Sequence, residues 1–419
     1  MGNGSRRTEG NKEGRRSPKP GRGMLFGRLH WAVPAVFLVA GLQQPQLLGQ
    51  ELTLPENPLK GRFVFEQKGC ILCHSIRGGE GGKVGPDLGQ KKFYGSFLDL
   101  AGIMWNHSPE MLRRMRELDL PYPEFSRAEM QELIAYLYFL RYLGEPGDLY
   151  RGRILVKEKG CLSCHSVGGK GQKAAPAFDR LAKYVSPLYM AQALWNHGPG
   201  MDREIQKRGL PRPTFEKREI VDLSAFIRSA SQGVVREKVY MSPGSPRRGE
   251  TVLERKGCLN CHSLHGKGGS VAPDFGEMDW SYSVTEIAGL MWNHGREMRD
   301  LMAERKMNWP EFSGGEMADL ISFLYFLGFA DPPGDARSGQ QLFAQQGCVR
   351  CHGREGGGSA PDLSRVRALA STADMARIMW NHAPVMEERV AEKVMEWPQF
   401  SGRQLSDLFA YLHRKSGEK

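Results

Sequence analysis

Eight cysteines and four histidines of this chain fall into one short string written four times: Cys70-Ile71-Leu72-Cys73-His74, Cys161-Leu162-Ser163-Cys164-His165, Cys258-Leu259-Asn260-Cys261-His262 and Cys348-Val349-Arg350-Cys351-His352. Each reads C-x-x-C-H. Two thiols separated by two residues reach one edge of a porphyrin and can add across its vinyl groups. The adjacent imidazole then turns under the ring as an axial ligand to the iron. The strings use all eight cysteines of the chain, which argues against disulfides and against a separate zinc site. The expected cofactors are four covalently bound haem c groups, with His74, His165, His262 and His352 as proximal ligands.

The elements that must position these strings recur with them. First cysteines stand 91, 97 and 90 residues apart, a period that marks an internal repeat. A short helical stretch leads into each string, as in 61–69 and 151–160. A glycine-rich loop then reaches a proline: Gly85-Pro86-Asp87-Leu88, Ala175-Pro176-Ala177-Phe178, Ala272-Pro273-Asp274-Phe275 and Ala360-Pro361-Asp362-Leu363. Next comes a helix carrying a Trp-Asn-His triplet, then a proline-containing turn such as Tyr122-Pro123-Glu124-Phe125-Ser126. An amphipathic helix closes the unit, with apolar residues at helical spacing. Ser126 and Glu129 have the spacing of a capping box at its start. Glycine, 51 of 419 residues, is concentrated after the strings, where loops must run close to a large flat cofactor.

On these parts each unit resembles a class I cytochrome c domain, and the resemblance covers residues ~55–415 at the size of one domain per repeat. It implies an all-α fold of four tandem small helical domains, each around one covalently bound haem. The expected boundaries are 55–145, 146–232, 247–331 and 332–419, with a linker at 233–246. It also implies that the carbonyls of Pro86, Pro176, Pro273 and Pro361 orient the four proximal imidazoles, a contact that fixes the ring and tunes the iron. The closing segments of units 1 and 3 match, Tyr138 to Asp148 against Tyr325 to Asp335. A two-unit module duplicated to give units 3 and 4 explains this. Its joint between Ser231 and Arg248 is the expected site of first proteolysis.

The second axial ligand departs from the family. Where a methionine would precede the turn proline, this chain has Tyr122, Arg212, Trp309 and Trp397. Two substitutes recur in every unit. One is the triplet histidine, His107, His197, His294 and His382; the other is the methionine four residues later, Met111, Met201, Met298 and Met386. Residues at i and i+4 share a helix face. The family's habit favours methionine, and the histidines stay open as ligands or as partners of a haem propionate. For Trp105, Trp195, Trp292 and Trp380 the expectation is core packing beside a haem, with a propionate contact through the indole N–H as the alternative.

Charge and the amino-terminal stretch bound the partners. Of the net charge of +11, residues 1–50 contribute +6, from eight Lys/Arg and two acids. No arginine-rich stripe or aromatic platform for bases follows, so nucleic acid is not an expected partner. Residues 1–23 read as a basic disordered segment. Residues 24–49 read as a signal peptide, with Met24 as a possible true start, Arg28 in the n-region and an apolar run from Leu29 to Leu42. That run is short for a membrane span, which favours export to the periplasm with cleavage over an uncleaved anchor holding the protein at the membrane. With two protein ligands on every iron the chain is expected to pass electrons between redox partner proteins and to have no catalytic residues. A haem peroxidase or small-molecule reductase with one open iron is the alternative, and unit 2, with Arg212, is the most divergent. A cytochrome c subunit of a membrane respiratory complex is a third reading.

Overall fold

Each repeat is built as three helices about its C-x-x-C-H string. In unit 1 these are α1 (Lys60–Gln67), α2 (Phe97–Glu117) and α3 (Arg127–Phe139). Unit 2 has α4 (Leu149–Glu158), α5 (Pro187–Lys207) and α6 (Glu219–Ala230); unit 3 has α7 (Pro246–Arg255), α8 (Val284–Glu304) and α9 (Glu316–Leu327). Unit 4 has α10 (Ala336–Gln345), the one-turn α11 (Val349–His352), α12 (Thr372–Glu392) and α13 (Gly402–Gly417). This computed structural model describes residues 54–417 apart from 80, 92, 94, 143–145, 181–185, 231–242, 354–359 and 364–368. The expected basic tail and signal peptide, and most of the expected linker, lie outside the described residues. All described residues belong to one body, Leu48–Lys419.

Local sequence explains the helix bounds. Ser96 and Asp99 form a capping box at α2, as do Ser126 and Glu129 at α3 and Ser283 and Glu286 at α8, each satisfying otherwise unpaired N–H groups of the first turn. The first and last helices of every unit pack closely at one glycine of the first. A Cβ on Gly61, Gly152, Gly249 or Gly339 would collide with the backbone carbonyl of Glu132, Asp222, Asp319 or Asp407 respectively. In units 1–3 a lysine near the string braces the turn before the last helix. Lys68, Lys159 and Lys256 donate to the carbonyls of Glu124, Thr214 and Glu311 at 2.7, 2.7 and 2.6 Å. Units 2 and 3 add a feature absent from the sequence reading, a two-residue antiparallel ribbon after the string.

The units do not associate in chain order. The middle helices pack in cross-module pairs, α2 on α12 and α5 on α8, so unit 1 pairs with unit 4 and unit 2 with unit 3. Units 1 and 3 then meet through their matching closing segments. The hydroxyls of Tyr138 and Tyr325 each donate to the other's carbonyl at 3.0 and 2.7 Å. The N–H of Phe97 donates to Phe329 O at 3.0 Å, and that of Val284 to Tyr142 O at 3.3 Å. These two pairs of bonds mirror one another about a pseudo-twofold axis relating unit 1 to unit 3, whereas the Arg141–Tyr325, Tyr142–Ser322 and Leu98–Asp331 bonds belong to one side alone. The body reads in space as 4–1–3–2.

Candidate haem-attachment sites

One backbone device presents each string. A glycine precedes the first cysteine with a left-handed φ of 70–76°, at Gly69, Gly160, Gly257 and Gly347. A side chain would be strained there. The next residues close a tight turn in which the histidine N–H donates to the first cysteine's carbonyl, at 2.9, 2.9, 3.0 and 2.8 Å for His74, His165, His262 and His352. Both thiols of each string are free of disulfides and partly buried. Burial pushes the Cys70 thiol up to about 12 and those of Cys161, Cys258 and Cys348 up to about 11.

The loop prolines act as the resemblance implies. Nδ1 of His74, His165, His262 and His352 lies 3.0, 2.8, 2.9 and 3.0 Å from the carbonyl oxygens of Pro86, Pro176, Pro273 and Pro361. A carbonyl can only accept, so Nδ1 carries the proton and the Nε2 lone pair is left for a metal. Among the described residues, the aspartate after the proline clamps this loop in units 1 and 3, and Asp179 accepts from the Gly168 N–H at 2.9 Å in unit 2. Asp87 accepts from the N–H groups of Arg77, Gly78 and Gly89 at 2.7, 2.5 and 2.8 Å. Asp274 accepts from those of His265, Gly266 and Gly276 at 2.9, 2.6 and 2.7 Å. Desolvation opposes ionisation of Asp274, but these bonds together outweigh it and hold its carboxyl down to about 2. Two free thiols beside an imidazole of fixed tautomer are the donor set that a covalently attached haem requires.

The two sets of distal candidates differ in setting. Met111, Met201, Met298 and Met386 are half-buried and pack against the hydrophobic core. His107, His197, His294 and His382 are exposed. Three of these histidines engage Nδ1 with the carbonyl one turn earlier: His107 with Ile103, His197 with Ala193 and His294 with Leu290, at 2.8, 2.9 and 2.9 Å.

The rest of the triplet serves a purpose the sequence reading missed. Each Trp is buried, but its indole N–H goes to another unit and not to a propionate. Trp105 donates to Pro398 O, Trp380 to Pro123 O, Trp195 to Pro310 O and Trp292 to Pro213 O, at 2.7–2.8 Å. Each Asn grips a partner phenylalanine's backbone at both N–H and C=O. Asn106 holds Phe400, Asn381 holds Phe125, Asn196 holds Phe312 and Asn293 holds Phe215, all at 2.7–2.9 Å.

The same seam accounts for the departure from the family at the turn. Pro109, Pro199 and Pro384 lie inside the middle helices, four residues after the Trp. A proline has no N–H, so the Trp carbonyl one turn earlier loses its helical donor. The partner's turn residue supplies a donor: Trp397 Nε1 to Trp105 O, Trp309 Nε1 to Trp195 O and the Tyr122 hydroxyl to Trp380 O, at 3.3, 3.2 and 3.2 Å, with the Ser108 hydroxyl also donating to Trp105 O at 2.7 Å. Arg212 does the same for Trp292 O at 2.8 Å, although unit 3 has Arg296 in place of the proline. The recurrent Asn, and Pro in three of four repeats, are the signals that would have revealed this interface.

Tandem helical domains that present paired thiols and an oriented imidazole define a haem-binding protein of the cytochrome type. The cytochrome c family model matches residues 150–231, 246–327 and 336–415, more than half of the chain, and the chain belongs to that family. Its domains carry covalently attached haem c and transfer electrons with redox partners. Residues 54–142 lie outside these matches, yet the described residues there repeat the same order of parts. A stretch of 90 residues is 33% identical to cytochrome c oxidase subunit 2 of Alkalihalophilus pseudofirmus, covering 20% of this chain and 26% of that protein. The chain thus spans about a quarter of that relative's length. No solved structure matches the chain. Among the described residues no helix is long and apolar enough to cross a membrane.

Proposed function

We propose that this protein is an exported, periplasmic electron carrier with four covalently attached haems, one per repeat. The observation that carries the proposal is the fourfold recurrence of one geometry: two free thiols on a tight turn and a proximal imidazole whose Nδ1 is bonded to a proline carbonyl. In this reading Cys70/Cys73, Cys161/Cys164, Cys258/Cys261 and Cys348/Cys351 hold the haems, and His74, His165, His262 and His352 ligate the irons from one side. Met111, Met201, Met298 and Met386 ligate from the other, supported by their half-buried place against the core. When bound, each haem supplies a one-electron couple, and the protein sets its ligands, burial and spacing.

A near-infrared spectrum tests the distal assignment, because the weak sulfur-to-iron charge-transfer band accompanies methionine ligation and is absent from bis-histidine centres. Loss of the band's share in Met298→Ala, with His294→Ala unchanged, supports methionine. Histidine ligation is the second reading, favoured by the Nδ1 bonds of His107, His197 and His294, which leave Nε2 free as they do in the proximal ring. It predicts the converse, together with lower potentials. Electron transfer without catalysis predicts no binding of carbon monoxide or cyanide to the purified protein; binding at one haem supports the enzyme alternative. The stretch similar to an oxidase subunit supports a respiratory complex as the redox partner. Co-purification with membranes after a salt wash tests that association.

A further inference from the structure

We propose that the 2:3 pair is where electrons settle, because a cluster of arginines about one buried carboxylate in its seam raises the reduction potentials of units 2 and 3 above those of units 1 and 4. The inference rests on the four-haem reading.

The cluster surrounds Asp202 of α5, whose side chain is 3% exposed. Arg212, 10% exposed, donates from Nε to its Oδ1 at 2.9 Å and lies 4.0 Å from the Trp292 ring centroid. From the other unit, Arg299 of α8 bonds its Oδ2 and Arg296 approaches Oδ1 at 3.7 Å. The Arg296 Nε is buried with no hydrogen-bond partner. Arg299 also meets Asp300 at 3.2 Å, but that carboxylate is 63% exposed, where water screens it. Three guanidinium groups, with side chains 10% (Arg212), 20% (Arg299) and 36% (Arg296) exposed, therefore face one buried carboxylate.

Among the described residues the 1:4 seam holds no such cluster. Aligned on the triplets, Asp202, Arg212, Arg299 and Arg296 correspond to Leu112, Tyr122, Glu387 and Pro384. Its cross-seam ion pairs, Arg116 with Glu387 at 2.5 Å and Arg127 with Asp374 at 3.6 Å, have arginines that are 53% and 51% exposed, one per carboxylate. Asp202 and Arg299 directly follow Met201 and Met298 in the chain, so the excess charge lies beside the middle-helix positions assigned to the iron. An excess positive charge stabilises the state of a neighbouring centre that carries less positive charge. In a one-electron couple that is the reduced state. Water reaching Arg296 and Arg299 screens part of the effect, and their contact with the buried Asp202 preserves the rest. With the units in contact as 4–1–3–2, an electron accepted from a one-electron carrier at any unit is drawn towards units 3 and 2.

The test is a potentiometric titration of the purified holoprotein and two variants, followed by haem absorbance. Arg212→Gln removes a positive charge and is expected to lower two of the four potentials. Asp202→Asn removes the negative charge and is expected to raise the same two. Each shift should reach about tenfold in the reduction equilibrium, about 59 mV for one electron. Should Arg212→Gln fail to load four haems, Arg299→Gln on the facing helix carries the same expectation. Shifts of one sign in both variants, as water entry would cause, overturn the inference, and so do equal shifts of all four centres or none. Fewer than four one-electron centres in the unsubstituted protein would overturn the four-haem reading with it, whereas four centres without the opposed shifts overturn this inference alone.

Discussion

The 1:4 and 2:3 pairs are built on one hydrogen-bond frame and filled differently. Both seams have two indole bonds to proline carbonyls and two Asn side chains that each clasp a phenylalanine backbone. Each also has one Trp–Trp stack, Trp105 on Trp397 at 4.4 Å and Trp195 on Trp309 at 4.3 Å. The opposite half of the seam diverges. In 1:4, Tyr122 stacks on Trp380 at 5.0 Å; in 2:3, Arg212 covers Trp292 and recruits Asp202, Arg299 and Arg296. The proximal imidazoles follow the same division. Phe178 and Phe275 stack on His165 and His262 at 4.6 and 4.3 Å, while units 1 and 4 have Leu88 and Leu363 at those positions. The frame fixes which units meet, and the filler sets the polarity around them.

Substitutions can break this comparison at each level. The largest effect is expected from Asp202→Ala, which leaves three guanidinium groups without their buried counter-charge. A loss of about 3–5 kcal/mol in stability follows for a broken buried pair, read as a lowered denaturation midpoint. The corresponding Leu112→Ala in the 1:4 seam should act as an ordinary apolar truncation with no dependence on salt.

Next is a pH effect where unit 3 meets units 1 and 4. Asp331 of unit 3 accepts from the Leu98 N–H of unit 1 at 2.7 Å and from the side chains of Ser96 and Thr372. Desolvation, with a smaller push from Asp99, raises its carboxyl to about 6. In the unfolded chain it would titrate near 3.9, so the folded state holds the proton more tightly between those values. Stability should therefore be greatest, as far as this group matters, below about pH 4. It should fall as pH rises to about 6 and above, by about 3 kcal/mol in total. Asp331→Asn keeps an acceptor for Leu98 and should flatten that slope in denaturation curves taken from pH 4 to 7. Aligned on Tyr138 and Tyr325, the residue of unit 1 at this position in the sequence is Gly144, which has no carboxyl, so no matching dependence is expected from the 2:3 side.

The frame itself should respond equally in both pairs. Asn106→Ala and Asn196→Ala each remove two bonds to a partner backbone, a cost of about 2 kcal/mol apiece. A markedly unequal pair of midpoints would contradict a shared frame. The smallest effect is Tyr122→Phe, which removes one hydroxyl bond to Trp380 and should cost about 1 kcal/mol.

Much of this was legible in the sequence. The strings, their period, the capping serines and the orienting prolines are local patterns, and the structure repeats each of them. The capping box at Ser126 stands as the sequence implies, and the Pro86 carbonyl at His74 as the family resemblance implies. The pairing of units was not legible, because it depends on contacts between residues such as Asn106 and Phe400 that lie 294 apart in the chain. Sequence alone leaves the triplet tryptophans between core packing and a propionate contact; they are buried, but their polar ends belong to an interface that one domain alone does not contain. The matching ends of units 1 and 3 suggested a duplication; the structure adds that those ends are the two halves of one junction.

Intact mass measurement of the purified protein tests the central claim most directly. The account predicts a mass exceeding that of the polypeptide by four haems, falling to three in a Cys70→Ala/Cys73→Ala variant, since unit 1 is built as the other units are. Three haems in the unsubstituted protein, unchanged by that variant, would contradict it.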